Sequence, residues 1–124
     1  MNADDIEALA NAWLAQYDSG ESAKDAAHSW AFGTLYDLCS DAPDVAWAVT
    51  EAILRHELTP HLKSVVAAGP IEQLLAEHGE QIIERIENRA RADAGFKALL
   101  GGVWKNRMTD TIWRRVQNVA GPKW

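Results

Sequence analysis

A chain of 124 residues is long enough for one domain with a real apolar core, because domains commonly contain about 100–150 residues. Its 48% hydrophobic and 24% charged residues exclude a disordered chain, and its single cysteine, Cys39, excludes an internal disulfide framework. No apolar run approaches the roughly 18 residues of a membrane span, and the acidic start at Met1–Asp5 is unlike a signal peptide. We therefore expect a cytoplasmic protein.

The net charge of -6 is unevenly distributed along the chain. Residues 1–62 contain eleven acidic and two basic residues, a net charge of -9, whereas residues 63–124 contain seven acidic and ten basic residues, a net charge of +3. An acidic first half argues against a nucleic-acid groove there and suits a basic protein partner. The alternative is that these charges lie on solvated helix faces and serve solubility.

Three helices are predicted in the first half of the chain. Asp4 or Asp5 can cap the first, Ser22 opens the second with a residue pattern that resembles a capping box, and Pro43 suits the first turn of the third. Their predicted bounds are about Asp4–Tyr17, Ser22–Ser40 and Pro43–His56. Gly33 predicts a bend or a close helix contact in the second helix.

Five shorter helices are predicted in the second half. Thr59 can cap the first of them, Gly79 ends the second, Asp93 can cap the fourth, and Thr109 or Asp110 can cap the last. Their predicted bounds are about Pro60–Gly69, Pro70–His78, Glu80–Ala92, Asp93–Leu100 and Thr109–Val119.

The isoleucine-rich helix Glu80–Ala92 has the clearest division between an apolar and a polar face. Its apolar positions, predicted to be buried, are Ile82, Ile83, Ile86 and Ala90. Glu87 and Arg91 are predicted to face water as an i, i+4 ion pair, which contributes only about 0.2–0.5 kcal/mol.

The fold class predicted from these patterns is all-α. No segment alternates apolar and polar residues over five or more positions, and no Asn-Gly or Asp-Gly hairpin turn occurs. Seven or eight short helices joined by tight turns predict an α-solenoid-like or irregular bundle. We expect a single domain with a helical hairpin at residues 1–42, a helical core at 44–113 and a loose tail at 119–124.

The segment from Ala67 to Trp104 carries a distinctive pattern. It reads Ala-Ala-Gly-Pro-Ile-Glu-x-Leu-Leu-x-x-His-Gly from Ala67, and it ends with Leu-Leu-Gly-Gly-Val-Trp at Trp104. With Trp47 upstream and Trp113 downstream, this pattern resembles a family of small, uncharacterised bacterial helical domains over about residues 44–113. The resemblance implies a helical fold and no established activity. Ala94 departs from the family pattern, in which a proline follows Asp93, so the start of that helix is less sharply defined.

Catalytic and metal-binding patterns are weak. His56 and Glu57 begin like a His-Glu-x-x-His zinc motif, but Pro60 breaks the helix that would present His61 with His56. Gly101-Gly102 follows no strand and lacks the spacing of a phosphate-binding loop, and Cys39 has no histidine partner in a recognisable nucleophile pattern. We expect neither a metal nor a cofactor.

His78 supports two interpretations, because it closes an apolar stripe just before Gly79. It could act with Glu72 as a proton-transfer pair in a hydrolase-like site. The alternative is that its imidazole bonds the last carbonyls of its helix. Since a lone histidine lacks the partners that catalysis needs, the second interpretation is favoured.

Six tryptophans in 124 residues exceed what an ordinary core needs. We expect four or five to be buried, with Trp13 or Trp124 exposed. Basic residues near the end of the chain, among them Lys105, Arg114 and Lys123, could contact phosphates, but the overall acidity makes nucleic acid an unfavourable partner.

The leading hypothesis is a non-enzymatic protein-binding domain, and within that class an immunity-type protein that neutralises a basic bacterial toxin. The carboxylates assigned to this surface are Asp18, Glu21, Asp37, Asp41 and Asp44. The alternative is a regulatory or scaffold domain that binds a partner in a polar groove of the second half. The residues assigned to that groove are Glu72, His78, Glu87, Arg91 and Asp93.

Overall fold

The computed structural model describes residues 1–18 and 29–124, and in these ranges it contains helices and no strand. The all-α prediction is therefore confirmed. The helices are α1 (Ala3–Asp18), α2 (Ser29–Asp41), α3 (Pro43–Leu54), α4 (Pro60–Val66), α5 (Glu72–Ala92), α6 (Ala94–Leu99) and α7 (Asp110–Val119). A wide π-type turn, Ala67–Ile71, joins α4 to α5, and a 3-10 turn, Leu100–Gly102, follows α6.

The chain divides into two compact units, Met1–Leu58 and Thr59–Trp124. In the first unit α1, α2 and α3 each pack against the other two. The large apolar side chains buried in this unit include Leu9, Trp13, Leu35, Trp47 and Ile53. The division into units leaves the single-domain organisation a prediction.

The start of α1 differs in detail from the prediction. Asn2, rather than Asp4 or Asp5, is the capping residue: its side-chain oxygen accepts the Asp5 N–H at 2.9 Å. The Asp5 carboxylate in turn accepts the Asn2 N–H at 3.2 Å, so the two residues satisfy each other's backbone donors. The capping box predicted at Ser22 lies outside the described residues.

In the second unit α5 is the central helix, because it packs against the π-type turn, α6 and α7. Its isoleucine face is buried as predicted, with Ile82, Ile83 and Ile86 at most 1% exposed. Thr59 accepts the Leu62 N–H at 3.2 Å and Thr109 accepts the Ile112 N–H at 3.2 Å, which confirms both residues as caps, of α4 and α7.

The helix break predicted at His78–Gly79 is present as a kink within α5. His78 has non-helical angles, φ -136° and ψ 39°, and the helical segment that follows the kink runs to Ala92. A Cβ on Gly79 would lie 2.9 Å from Cγ1 of Ile112, so this glycine also permits close contact between α5 and α7.

The helix count differs from the prediction. Because α4, the π-type turn and α5 follow one another directly along the chain, Pro60–Ala92 counts as one helical run with a kink at His78. Counted in this way, the described part of the chain has six helices rather than the seven or eight predicted.

The segment after α7 is docked, in contrast to the loose tail expected there. Gly121 N–H donates to the Lys97 carbonyl at 2.8 Å, and Trp124 N–H donates to the Gly101 carbonyl at 3.0 Å. The indole Nε1 of Trp124 also donates to the Ala98 carbonyl at 2.7 Å. These bonds hold residues 120–124 against α6 and the 3-10 turn.

Candidate functional site

Helix α2 presents three large aromatic side chains to solvent. Trp30 is 53% exposed, Phe32 47% and Tyr36 54%, whereas Leu35 and Cys39 of the same helix are buried. The rings of Phe32 and Tyr36 stack with their centroids 6.2 Å apart and their planes 24° apart. We call the exposed rings of Trp30, Phe32 and Tyr36 the α2 aromatic surface. Phe32 and Tyr36 share one side of the helix, and Trp30 lies on the opposite side. The position of this surface on an otherwise acidic unit marks it as the best candidate for protein contact.

Two of the predicted carboxylates, Asp37 and Asp41, lie on the exposed face of α2 that carries Trp30. Asp37 is seven residues after Trp30 and Asp41 is four residues after Asp37, spacings that bring the three residues to one side of a helix. Asp37 and Asp41 are both exposed, as is Asp44 in the first turn of α3. The structure therefore combines carboxylates with exposed aromatic rings, a combination that the sequence does not predict, because exposure was expected at Trp13 or Trp124 and not at Trp30.

The other two predicted carboxylates are not placed by the structure. Asp18 is the last residue of α1, and its side chain lies outside what the structure describes. Glu21 lies outside the described residues altogether. The acidic surface is thus defined here by Asp37, Asp41 and Asp44.

Glu72, assigned to the polar groove, is a buried carboxylate at the start of α5 and is 6% exposed. It accepts the backbone N–H of Trp104 at 3.3 Å and a side-chain N–H of Asn106. Burial raises the pKa of Glu72, while these two hydrogen bonds and the nearby ammonium of Lys123 act in the opposite direction. Asn106 has a positive φ of 40°, a conformation that asparagine tolerates better than most residues.

Lys123 lies between two indole rings near Glu72. Its Nζ is 4.0 Å from the ring centroid of Trp104 and 4.8 Å from that of Trp113, and it donates to the Val103 carbonyl. Burial lowers the pKa of Lys123, and Glu72 opposes that effect. Sequence reasoning placed Lys123 in a loose basic tail, because nothing local in the sequence indicates that residues 120–124 fold back.

His78 lines a cleft of 410 Å³ with Gly79, Thr109 and Ile112 among its neighbours. His78 lies at the kink within α5, so the expectation that its imidazole bonds the last carbonyls of the preceding helical segment stays a prediction. Glu72 is instead surrounded by Trp104, Asn106 and Lys123, so the structure gives no support to a catalytic pair of His78 with Glu72.

Glu87 is buried rather than exposed to water as predicted. It is 8% exposed, and Arg115 of α7 binds both of its carboxylate oxygens, through Nε at 2.9 Å and through Nη2. The hydrogen bonds from Arg115 lower the pKa of Glu87, and the charge of Arg91 adds to the same effect. The main partner of Glu87 is therefore on α7. One sequence signal could have indicated this partner: Arg115 directly precedes the buried Val116 and so lies at the edge of the apolar stripe of α7.

The five residues of the predicted polar groove do not meet in one place. Glu87 and Arg91 line a common cleft of 270 Å³ together with Lys97. Asp93 instead caps α6, where its carboxylate accepts the N–H groups of Gly95 and Phe96 at 2.9 and 3.1 Å. Asp93 thus serves the helix start, as the capping prediction expected and despite the departure from the family pattern at Ala94.

The tryptophans divide differently from the prediction. Trp13 is 2% exposed and so is not a surface residue, whereas Trp124 is 51% exposed as expected. Trp104 is 55% exposed and Trp30 is 53% exposed, so fewer than four of the six are buried.

Residues 1–18 and 29–124 contain neither a metal-binding cluster nor a helix suited to a membrane. There, no three or more His, Cys, Asp or Glu side chains are grouped so that they could hold a metal ion. His56 Nε2 is 3.4 Å from Oε1 of Glu7, and Arg55 donates to Oε2 of the same carboxylate at 3.1 Å. Within these same ranges no helix combines the length and the apolar character needed to cross a membrane.

Comparison with protein families matches residues 18–123 to a family of unknown function (DUF6869). The match extends well beyond the 44–113 segment on which the sequence resemblance was based. No curated protein and no solved structure matches the chain significantly.

Proposed function

Because the chain belongs to this family of unknown function, whose description names no activity, we propose its role from surface chemistry: a non-enzymatic protein-binding domain. Within that class we propose an immunity-type protein that neutralises a basic bacterial toxin in the cytoplasm. The observation that carries this proposal is the exposure of the three aromatic residues of α2, with Asp37 and Asp41 on the side of the helix that bears Trp30.

The aromatic side chains supply the affinity in this proposal. Trp and Tyr are enriched among residues that dominate binding energy, since they bury a large area with little loss of conformational freedom. Trp30 and Tyr36 are each more than half exposed, so a partner that covers them removes a large apolar area from water.

The carboxylates supply partner selection. The first 62 residues have a net charge of -9, so a basic partner is attracted at long range and an acidic one is repelled. Asp37, Asp41 and Asp44 then face the partner's Lys and Arg side chains, and the partner is inhibited by steric blockade of its working surface.

The test uses the purified product of the reading frame that neighbours this gene. We expect a complex with the wild-type protein and rescue of growth when the two are co-expressed. Truncating a hot-spot aromatic residue costs about 2 kcal/mol or more, so Trp30→Ala with Tyr36→Ala should weaken binding by roughly 30-fold or more.

The role of the carboxylates in the proposal is tested by two matched double variants. Asp37→Lys with Asp41→Lys reverses two carboxylates four residues apart on α2, and Glu80→Lys with Glu84→Lys makes the same change on exposed positions of α5. We expect slower association and an altered salt dependence for the α2 pair alone. Equal association rates for both pairs would reject the α2 surface as the binding site.

A further inference from the structure

The surroundings of the Lys123 ammonium group form a second feature that the α2 surface does not explain. Two indole rings, Trp104 and Trp113, lie 4.0 and 4.8 Å from Nζ, and the Val103 carbonyl accepts its hydrogen bond. The carboxylate of Glu72 contributes a favourable charge interaction. All four groups belong to the second unit and come from three segments: α5, residues 103–104 and α7.

This set of groups has the chemistry of a site for an alkylammonium ion. The faces of indole rings attract cations more strongly than those of other aromatic side chains, and a carbonyl and a carboxylate accept hydrogen bonds from an ammonium group. Glu72 is held in position by the Trp104 N–H and the Asn106 side chain, so the negative charge is preorganised. An anion would be repelled by the carboxylate and would find no donor in the carbonyl.

We propose that Glu72, Val103, Trp104 and Trp113 form a lysine-binding site, which Lys123 occupies within the chain and which a lysine of another protein occupies when residues 120–124 are displaced. The site is distinct from the α2 aromatic surface and does not depend on the function proposed for it.

The docking of residues 120–124 is of a kind that a competing lysine can displace. The segment has no regular secondary structure, and Pro122, Lys123 and Trp124 are exposed although they make contacts. Two backbone and two side-chain hydrogen bonds hold it. Ordering five residues consumes conformational entropy comparable to what these bonds return, so the docked and undocked forms are close in free energy.

The glycines beneath the segment set how closely it can dock. A Cβ on Gly102 would lie 2.6 Å from Cη2 of Trp124, and a Cβ on Gly101 would overlap the Pro122 carbonyl oxygen. A substitution at Gly102 therefore displaces Trp124 without altering any residue of the lysine-binding site.

The experiment follows the indole N–H signals of Trp104 and Trp113 by NMR during titration of the full chain. The probe is Nα-acetyl-lysine-N-methylamide, and its uncharged control is the corresponding norleucine amide. Lys123→Ala vacates the site, and we expect saturable shifts of both indole signals with the lysine probe and none with the norleucine probe. Wild-type protein should bind the lysine probe roughly tenfold more weakly, because its site is available only when residues 120–124 are undocked.

Three further variants make the result decisive. Gly102→Ala should bind the lysine probe more tightly than wild type, and Lys123→Ala combined with Trp104→Ala should not bind it. Lys63→Ala removes an exposed lysine of α4 and should match wild type. Equal responses to both probes, equal affinity in wild type and Lys123→Ala, or no binding by correctly folded Lys123→Ala and Gly102→Ala would each overturn the proposal.

Discussion

The contact between Gly79 and Ile112 gives a sharp test of why α5 carries a glycine in its middle. If Gly79 serves close packing, then Gly79→Ala is unfavourable only while Ile112 is present. If Gly79 instead favoured a helix end, the cost of alanine would be the same whatever occupies position 112. The two explanations therefore differ in how the substitutions combine.

The magnitude follows from the geometry. The three atoms nearest to an added Cβ are Cγ1, Cγ2 and Cδ1 of Ile112, at 2.9, 3.2 and 3.3 Å, all closer than the roughly 3.5–4.0 Å of a good carbon–carbon contact. Overpacking costs about 1–3 kcal/mol, and alanine in place of glycine returns about 1 kcal/mol of helix propensity. We expect Gly79→Ala to lower the free energy of unfolding by about 1 kcal/mol.

The sign should reverse in an Ile112→Ala background, because that substitution deletes all three atoms. Ile112 is 4% exposed, so Ile112→Ala alone should cost about 2–5 kcal/mol. Adding Gly79→Ala to it should be neutral or stabilising by up to about 1 kcal/mol. The assay is urea unfolding of the four proteins, followed by far-UV circular dichroism. Effects of the two substitutions that add within about 0.5 kcal/mol would refute the packing explanation.

Three further perturbations test other contacts of the second unit. Because burial raises the pKa of Glu72 in the folded state, its contribution to stability is present below the unfolded pKa of about 4.3 and is lost as pH rises through the folded pKa. Glu72→Gln should remove this pH-dependent loss of stability. If the difference in unfolding free energy between the wild type and this variant stays constant from pH 4 upward, the raised pKa of Glu72 is contradicted. Thr109→Ala should lower the free energy of unfolding by about 1 kcal/mol in a urea titration, while Thr109→Asp, which keeps a capping oxygen, should not. Asp93→Ala should cost a similar amount and Asp93→Asn much less, since asparagine also accepts the Gly95 and Phe96 N–H groups; equal losses for the two variants would exclude the capping role.

Local signals in the sequence predicted most of the helices. A Thr-Pro pair at residues 59–60, Asp93 and Thr109 were all identified as helix starts, because a short side-chain oxygen that accepts an N–H depends only on neighbours in the chain. The buried face of α5 was also predictable, since its isoleucines recur at helical spacing.

The failures share one cause, which is that they depend on partners distant in sequence. The local pattern at Gly79 indicates the helix break beside it, but not the close contact with Ile112 on α7. Glu87 has a suitable partner four residues away in Arg91, yet Arg115, 28 residues away, binds it instead. Single-sequence patterns contain no information about such pairings.

The candidate surface on α2 was only half predictable. Its carboxylates were identified from the charge asymmetry of the chain, which is a property of composition. Its aromatic residues were not, because a tryptophan in a helix is more often buried than exposed, and only the packing of α2 reveals that Trp30 and Tyr36 face solvent.

The π-type turn at Ala67–Ile71 has a consequence for how this chain can vary. There the Glu72 N–H bonds the Ala67 carbonyl five residues back, so the turn accommodates one residue more than an α-helical turn and also accommodates Pro70 within a continuous helix. Because the turn already contains one residue more than an α-helical turn, deleting one residue here lets it close to α-helical geometry and keeps the isoleucine face directed at its core. Deleting a residue in the regular part of α5 instead rotates the residues that follow by about 100°. Single deletions should therefore be tolerated better at this turn than within α5.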